Sequence, residues 1–289
     1  GEDTLDTNTS AFQDVRWFIM AGEGGSTIDV DANGDGDVTD SDDLNNYVMA
    51  EGDKVFVDGI LMGATLTVVS GNKVQVNSMA ADTGDTFEFR WISLVPKADW
   101  SNDYYSPVGT RPEPGTNRGC TEIIAYNPNP GTITVNYDFP GGASPDGSFT
   151  VAPGVAATGL TVPPSPSVLY NDGARYWTAG SEDFLPISIT DCTKDTSDTD
   201  GRFFDWGNPL FPANQLTTSA LVSYAPGCSG DNPTPLCIDD DVAYPYSRSV
   251  VWITPIADTT IFVDYDGSGF TCPAGADADL AISASALTS

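Results

Sequence analysis

The stretch Glu122-Ile-Ile-Ala-Tyr-Asn-Pro-Asn-Pro-Gly-Thr-Ile-Thr-Val-Asn-Tyr-Asp138 reads as two β-strands joined by a Pro/Asn/Gly turn, a hairpin. β-Branched and aromatic residues suit both arms, and the turn residues reverse the chain between them. A related pattern returns as Ser249-Val-Val-Trp-Ile-Thr-Pro-Ile-Ala-Asp-Thr-Thr-Ile-Phe-Val-Asp-Tyr-Asp266. With one gap, Pro128 falls on Pro255, Val135 on Val263, and Tyr137-Asp138 on Tyr265-Asp266. Upstream of each, Arg90-Trp91-Ile-Ser-Leu-Val-Pro96 answers to Asp205-Trp206-Gly-Asn-Pro-Leu-Phe-Pro212, again with one gap. The separations are comparable if the loop between Cys228 and Cys237 is an insertion. Two motifs recurring in one order predict an internal duplication.

The expected fold is therefore all-β, with two Ig-like β-sandwich domains. Residues 1–14 form an N-terminal strand-like arm, 15–195 the first sandwich and 196–289 the second. Further candidate strands are Lys54–Asp58, Ala64–Val69, Lys73–Asn77, Thr86–Ile92, Ser148–Ala152, Thr158–Val162, Pro186–Thr190, Leu221–Tyr224 and Asp279–Leu287. Val15–Ala21 and Ser26–Val30, joined by Gly22-Glu-Gly-Gly25, read as another hairpin. Short strands punctuated by Gly, Pro and Asn are the pattern of sandwiches rather than of α/β folds.

The chain has 289 residues, long enough for two domains that each bury a core. Its 41 acidic against 11 basic residues give a net charge of −30. Nucleic acid and anionic membrane surfaces both require a cationic face, so neither is an expected partner. No apolar run approaches the roughly 20 residues that span a bilayer, so membrane insertion is not expected. Histidine is absent, which removes Ser-His-Asp and Cys-His nucleophilic sites and histidine-ligated zinc. Carboxylate-only chemistry such as glycoside hydrolysis remains formally open. In so acidic a chain, however, abundance is no evidence for a catalytic pair, and the protein is read as not an enzyme.

The cysteines are Cys120, Cys192, Cys228, Cys237 and Cys272, with no Cys-x-x-Cys pair. Cys228 and Cys237 bracket a short loop and are expected to form a disulfide, which suits an oxidising compartment. One further pair among the other three is expected, leaving a thiol over. The start at Gly1 is read as that of a mature secreted chain whose leader has been removed.

The sharpest chemical signal is Asp31-Ala-Asn-Gly-Asp-Gly-Asp-Val-Thr-Asp-Ser-Asp42. Asp31, Asn33 and Asp35 stand at positions one, three and five of an EF-hand-type loop, and Gly36 makes the turn at six. Asp37 offers its carbonyl at seven, Thr39 acts directly or through water at nine, and Asp42 closes at twelve. A hard cation needs several oxygens around one point, so calcium is the expected cofactor. The loop closely resembles those of dockerins, which also place Asp at twelve. Dockerins carry two such loops with helices; this chain has one, entered from an expected strand and followed by a brief helix at 42–46. The ion is expected to be structural, because Asp29, Asp31, Asp35, Asp37, Asp40, Asp42 and Asp43 otherwise repel one another.

Arg90-Trp91, Leu94-Val95-Pro96, Trp100, Tyr104-Tyr105, Pro107-Val108-Gly109, Ile123–Pro130 and Val135 together are similar to a bacterial family of secreted β-sandwich domains of the IgGFc-binding-protein type. The resemblance covers most of residues 16–270 and implies a bacterial extracellular or cell-surface protein. A short arm ahead of an Ig-like domain also resembles pilins that assemble by donor-strand exchange, where one subunit's arm completes another's sheet. In the arm of this chain the apolar residues are Leu5, Ala11 and Phe12. The function expected is a structural subunit of an extracellular fibril or pilus, a homo-oligomeric helical filament stabilised by calcium. The alternative is a glycan- or protein-binding adhesin-like module, with Trp100, Tyr104, Tyr105 and Tyr244-Pro-Tyr246 as exposed aromatics.

Overall fold

A computed structural model describes residues 12–81, 89–107, 121–139, 144–161, 173–190, 206–219, 253–263 and 280–284. Among these the protein is all-β, as expected, with antiparallel sheets and no α-helix.

The first sandwich uses β1 (Asp14–Ala21), β2 (Ser26–Asp31), β3 (Leu44–Met49), β4 (Lys54–Val57), β5 (Thr65–Gly71), β6 (Val74–Ala81) and β7 (Phe89–Ser93). One sheet has the order β4-β1-β6-β7 and the other β3-β2-β5. Alternation along β1 sends Val15, Trp17, Ile19 and Ala21 inward, where they meet Ile28, Val30 and Met49. A period of two puts every second residue on one face, so these strands bury one side only.

Three pairs of consecutive strands in this sandwich do not hydrogen-bond to each other. β1 and β2, expected as a hairpin, lie in opposite sheets, as do β3 and β4, and β5 and β6. Each connection is an arch spanning the two sheets, and the three arches stack. Ala21 N–H donates to Asp53 O at 2.9 Å, Gly22 N–H to Lys73 O at 3.1 Å, and Asn72 N–H to Gly25 O at 3.0 Å. Gly25 and Gly71 carry this stacking, with φ of 74° and 91°. A Cβ on Gly25 would lie 2.5 Å from Met49 O, and one on Gly71 2.6 Å from Gly25 O. The glycines that suggested a tight hairpin are needed because neighbouring arches approach backbone to backbone.

The second sandwich uses β8 (Asp103–Ser106), β9 (Thr121–Tyr126), β10 (Ile133–Asp138), β11 (Gly147–Val151), β12 (Ala156–Thr161), β13 (Ala174–Thr178), β14 (Leu185–Thr190), β15 (Trp206–Pro209) and β16 (Phe211–Pro212). Its sheets are β11-β10-β13-β8-β16 and β12-β9-β14-β15. The stretch 122–138 is thus two strands, but an arch rather than a hairpin: β9 and β10 belong to different sheets. Asn127, fully buried, organises the crossing. Its Nδ2 donates to Gly131 O at 2.8 Å and Val151 O at 3.0 Å, while its Oδ1 accepts the Asn129 N–H at 2.9 Å. Pro128 and Pro130 have no N–H to give to a hairpin ladder.

The expected boundary between 195 and 196 needs correction. Residues 15–195 contain two apolar cores, one around Ile19 and Ile28 and one around Tyr104, Val135 and Tyr176. β15 also pairs with β14, placing Thr190 opposite Trp206 in one sheet across that boundary. The acidic stretch 193–201, expected as the junction, lies outside the described residues.

The two sandwiches share a pairing order. β4-β1-β6-β7 corresponds to β12-β9-β14-β15, and β3-β2-β5 to β11-β10-β13. The matched motifs Arg90–Pro96 and Asp205–Pro212 fall at the same place in this order. Each ends in a 3-10 turn, Lys97–Asp99 or Ala213–Gln215, preceded by Pro96 (φ −55°, ψ 140°) or Pro212 (φ −57°, ψ 146°). Ile92 and Ile189 join the sandwiches, packed with Phe12, Leu94, Ile124 and Ile187. Of the second sequence copy, β17 (Thr259–Val263) is described; it pairs with β18 (Leu280–Ala284), within the expected last strand.

Candidate functional site

The acidic loop leaves β2 at Asp31 and re-enters the sheet at β3, so it is a strand–loop–strand element. The helix expected at 42–46 is not formed. Asn45 and Asn46 make a bulge against Asp29 instead, with Asn46 at φ 49° and its N–H held by Asp29 Oδ1 at 2.6 Å. Asparagine tolerates this left-handed conformation better than other side chains do, and it is a weak helix former.

Within the loop each acidic or amide side chain of the first half folds back onto the backbone. Asp31, buried, accepts Gly34 N–H at 2.6 Å and Gly36 N–H at 2.8 Å on its two oxygens. Asn33 Oδ1 accepts Asp35 N–H at 2.9 Å, Asp35 Oδ1 accepts Asp37 N–H at 2.8 Å, and Asp37 Oδ1 accepts both Thr39 N–H and its hydroxyl. These bonds wind positions one to nine into a tight coil of oxygen atoms. The coil docks on the β4–β5 connection, where Leu61 N–H donates to Ala32 O at 2.8 Å.

At the closing end the side chains are placed differently from the sequence expectation. Asp42 is exposed, its Oδ1 accepting only a 3.5 Å bond from Ser41. Asp43 turns inward: Oδ1 accepts Ala32 N–H at 2.8 Å, and Oδ2 is buried without a hydrogen-bond partner. Position thirteen, counted in the sequence only among the mutually repelling carboxylates, thus presents an orphaned oxygen beside the loop entry. The donor set is all hard oxygen, which suits calcium by type. Among the described residues, however, no three of His, Cys, Asp and Glu are gathered closely enough to hold an ion. The side chains are brought together by their own backbone bonds, not by convergence on one point.

Of the arm residues, Leu5 and Ala11 lie outside the described part. Phe12 is inside it and packs against its own chain, touching the first core and the Ile92–Ile189 cluster. That is a correction: a residue held in its own core is not offered to another subunit. All five cysteines, Cys228 and Cys237 included, lie outside the described residues, as do Tyr244 and Tyr246.

The aromatics expected to be exposed are largely packed. Tyr104 is buried on β8, accepting Ser101 N–H and donating to Phe184 O, each at 2.7 Å. Burial pushes its phenol up to about 12, and burial also raises the Tyr176 phenol. Trp100 is half-buried, with its indole N–H on Val95 O at 2.9 Å. Tyr105 is half-buried beneath Arg175, whose guanidinium lies 4.7 Å from the Trp177 ring and 5.8 Å from the Tyr105 ring. Arg175 also forms a two-pronged pair with Asp103 at 2.9 and 3.0 Å, and that hydrogen bonding raises its own pKa. The exposed aromatic row is elsewhere, on the outer face of the first sandwich. Phe18 lies 4.8 Å from Phe56 and 5.8 Å from Trp91, and those two are 56% and 46% exposed. No helix among the described residues is long and apolar enough to cross a membrane.

Compared with family models, with curated proteins and with solved structures, the chain has no match in any of the three.

Proposed function

We propose that the protein is a structural subunit of an extracellular bacterial fibril or pilus, built from two sandwiches of duplicated origin and assembling with copies of itself through strand addition. Its place is outside the cell or on its surface. The observation that carries this reading is the edge of the β3-β2-β5 sheet. β5 contains neither charge nor proline, and Val68 and Val69 on it are 37% and 47% exposed. Edge strands in proteins that remain apart are normally guarded by charge, proline or cover, because unpaired N–H and C=O groups recruit other strands. Calcium, if bound by the Asp31–Asp42 loop together with Asp43, would neutralise the cluster and hold that loop against the β4–β5 connection. Electron microscopy of the purified chain, with and without residues 1–11, tests the reading. Filaments are expected from the full chain only; filaments of normal length from the shortened chain would refute it.

A second reading, a glycan- or protein-binding surface module, is supported by the Phe56–Phe18–Trp91 row, an apolar aromatic patch whose half-exposed Phe56 and Trp91 rings are available for stacking. A glycan panel screened with the full chain and with Trp91→Ala would separate the two: saturable binding lost in the variant favours the adhesin-like role.

A further inference from the structure

The sheets β4-β1-β6-β7 and β12-β9-β14-β15 correspond bond for bond at their ends. Ala21 N–H donates to Asp53 O as Asn127 N–H does to Val155 O, and Gly52 N–H to Ala21 O as Gly154 N–H does to Asn127 O. Leu94 N–H likewise donates to Val76 O as Leu210 N–H does to Pro186 O. With the strand registers, these bonds align Met20 with Tyr126, Phe18 with Ile124, Met79 with Ile189 and Trp91 with Gly207. All of these positions lie on the outer face of their sheet. In the second sandwich that face is the junction with the first. Ile189 is buried, Ile124 and Ile187 pack with Ile92, Leu94 and Phe12, and Trp100 meets Tyr126 edge-on at 6.2 Å. A Cβ on Gly207 would lie 3.2 Å from Ile92 Cδ1. In the first sandwich the same face carries Phe56, Trp91 and Met20, all exposed. An apolar face that is an interface in one sandwich and open in its duplicate marks a docking surface for a similar unit.

We infer that the Phe18–Phe56–Trp91 face is docked by a second copy of the chain, which presents residues 206–216 much as residues 92–100 are presented to the second sandwich within one chain. The inference rests on the fibre reading in taking another copy as the partner, and it involves no exchanged strand. Residues 206–216 are the counterpart of that covering segment. Phe211 stands for Val95 and Leu216 for Trp100, on either side of the matched Pro96 and Pro212 turns. Phe211 and Leu216 are both exposed. Asn208, also exposed, takes the place of Ile92, so the apolar part of the contact shifts to Phe211 and Leu216. By this equivalence the second copy's Leu216 lies on Met20, as Trp100 lies on Tyr126. Charge favours this pairing. A copy of net charge −30 is repelled wherever it offers carboxylates, but residues 206–219 contain no charged side chain. The receiving face, from Lys54 and Phe56 across Phe18 and Asn77 to Trp91, holds no carboxylate either. A contact of face to edge is heterologous, so it propagates from copy to copy.

Sedimentation velocity and electron microscopy of the full chain and of Phe56→Glu and Leu216→Glu test the inference. Both substitutions are at exposed positions, and an unchanged melting temperature confirms that each variant folds. Each alone should raise the concentration needed for assembly at least tenfold, whereas Thr150→Glu, on the outer face of the second sandwich, should leave it unaltered. Mixed together, the two variants should form a one-to-one dimer and nothing longer. One keeps a working edge and the other a working face, so a single contact survives. A photo-crosslinking residue in place of Met20 should join residues 206–216 of another chain. Dimers formed by Leu216→Glu alone would show face meeting face and overturn the choice of edge. Crosslinks confined to one chain would overturn the second copy as occupant. Glycan binding by a monomeric chain, lost in Phe56→Glu, would give the face to a sugar and overturn it also. Filaments of normal length from both variants overturn the docking alone, while an unaltered chain that forms no filament overturns the fibre reading beneath it.

Discussion

β5 and β13 hold the same place in two sheets of the same order, yet one is exposed along most of its length and the other buries every inward residue. The difference lies in their neighbours. β13 is enclosed by β8, whose Tyr104 fills the core and ties the backbone at Ser101 and Phe184. β5 has the same arch behind it and an inward apolar pair of its own, without an enclosing strand among the described residues. A strand's burial is therefore set by what pairs beside it as much as by its own composition.

The largest effect should come from truncating the enclosed strand. Tyr176→Ala removes a fully buried ring and should cost about 3–5 kcal/mol in chemical denaturation, the usual range for aromatic deletions in a core. Val68→Ala on β5 should cost less than about 1 kcal/mol in dilute monomer, because its methyls are partly in water already. Equal costs would break the comparison.

Removing the β8 tie should come next. Tyr104→Phe leaves Ser101 N–H and Phe184 O without their shared partner, and about 1–3 kcal/mol is expected from such buried polar losses. The same phenol gives a pH signature. Its folded pKa of about 12 lies above the ordinary 10.0, so the folded state binds more protons than the unfolded between these values. Stability from this group is complete below pH 10 and falls as pH rises toward 12, and Tyr104→Phe should flatten that part of the alkaline unfolding curve. A curve of unchanged slope would contradict it.

Calcium removal is expected to lower the melting temperature by several degrees, a change of about 1–2 kcal/mol for a chain this size. Asp43→Asn should reduce that shift more than Asp42→Asn, since Asp43 carries the buried oxygen and Asp42 faces solvent. No shift on chelation would remove calcium from the account.

The smallest effect on folding should belong to Val69→Lys. A lysine on an exposed edge alters stability by no more than about 0.5 kcal/mol but guards the strand against pairing. Assembly lost with stability kept would sharpen the contrast between the two edges; assembly retained would blunt it.

Much of the strand content was legible because alternation is a local property. β1, β2, β4 and β5 follow directly from their period of two. β3 was hidden by Asn45-Asn46, which form a bulge but fell at the end of the brief helix expected at 42–46. β13 was hidden because Arg175 and Trp177 obscure the buried set of Ala174, Tyr176 and Thr178. Whether two strands joined by a turn pair or arch apart is not local. Gly22–Gly25 and Asn127–Gly131 signal reversal, but the partner of each strand is chosen by neighbouring arches and by hydrogen bonds such as those of Asn127. The coiled course of the acidic loop from Asp31 to Thr39 was readable for the same local reason. Its closing end was not, because the inward turn of Asp43 depends on Ala32 and the bulge that follows.

Hydrogen exchange of residues 65–71 against residues 174–178, measured in one sample of dilute chain, tests the contrast most directly. The account predicts that 174–178 exchange only with global unfolding, while 65–71 exchange through local opening and at least tenfold faster. Equal protection of the two segments in dilute monomer would contradict it.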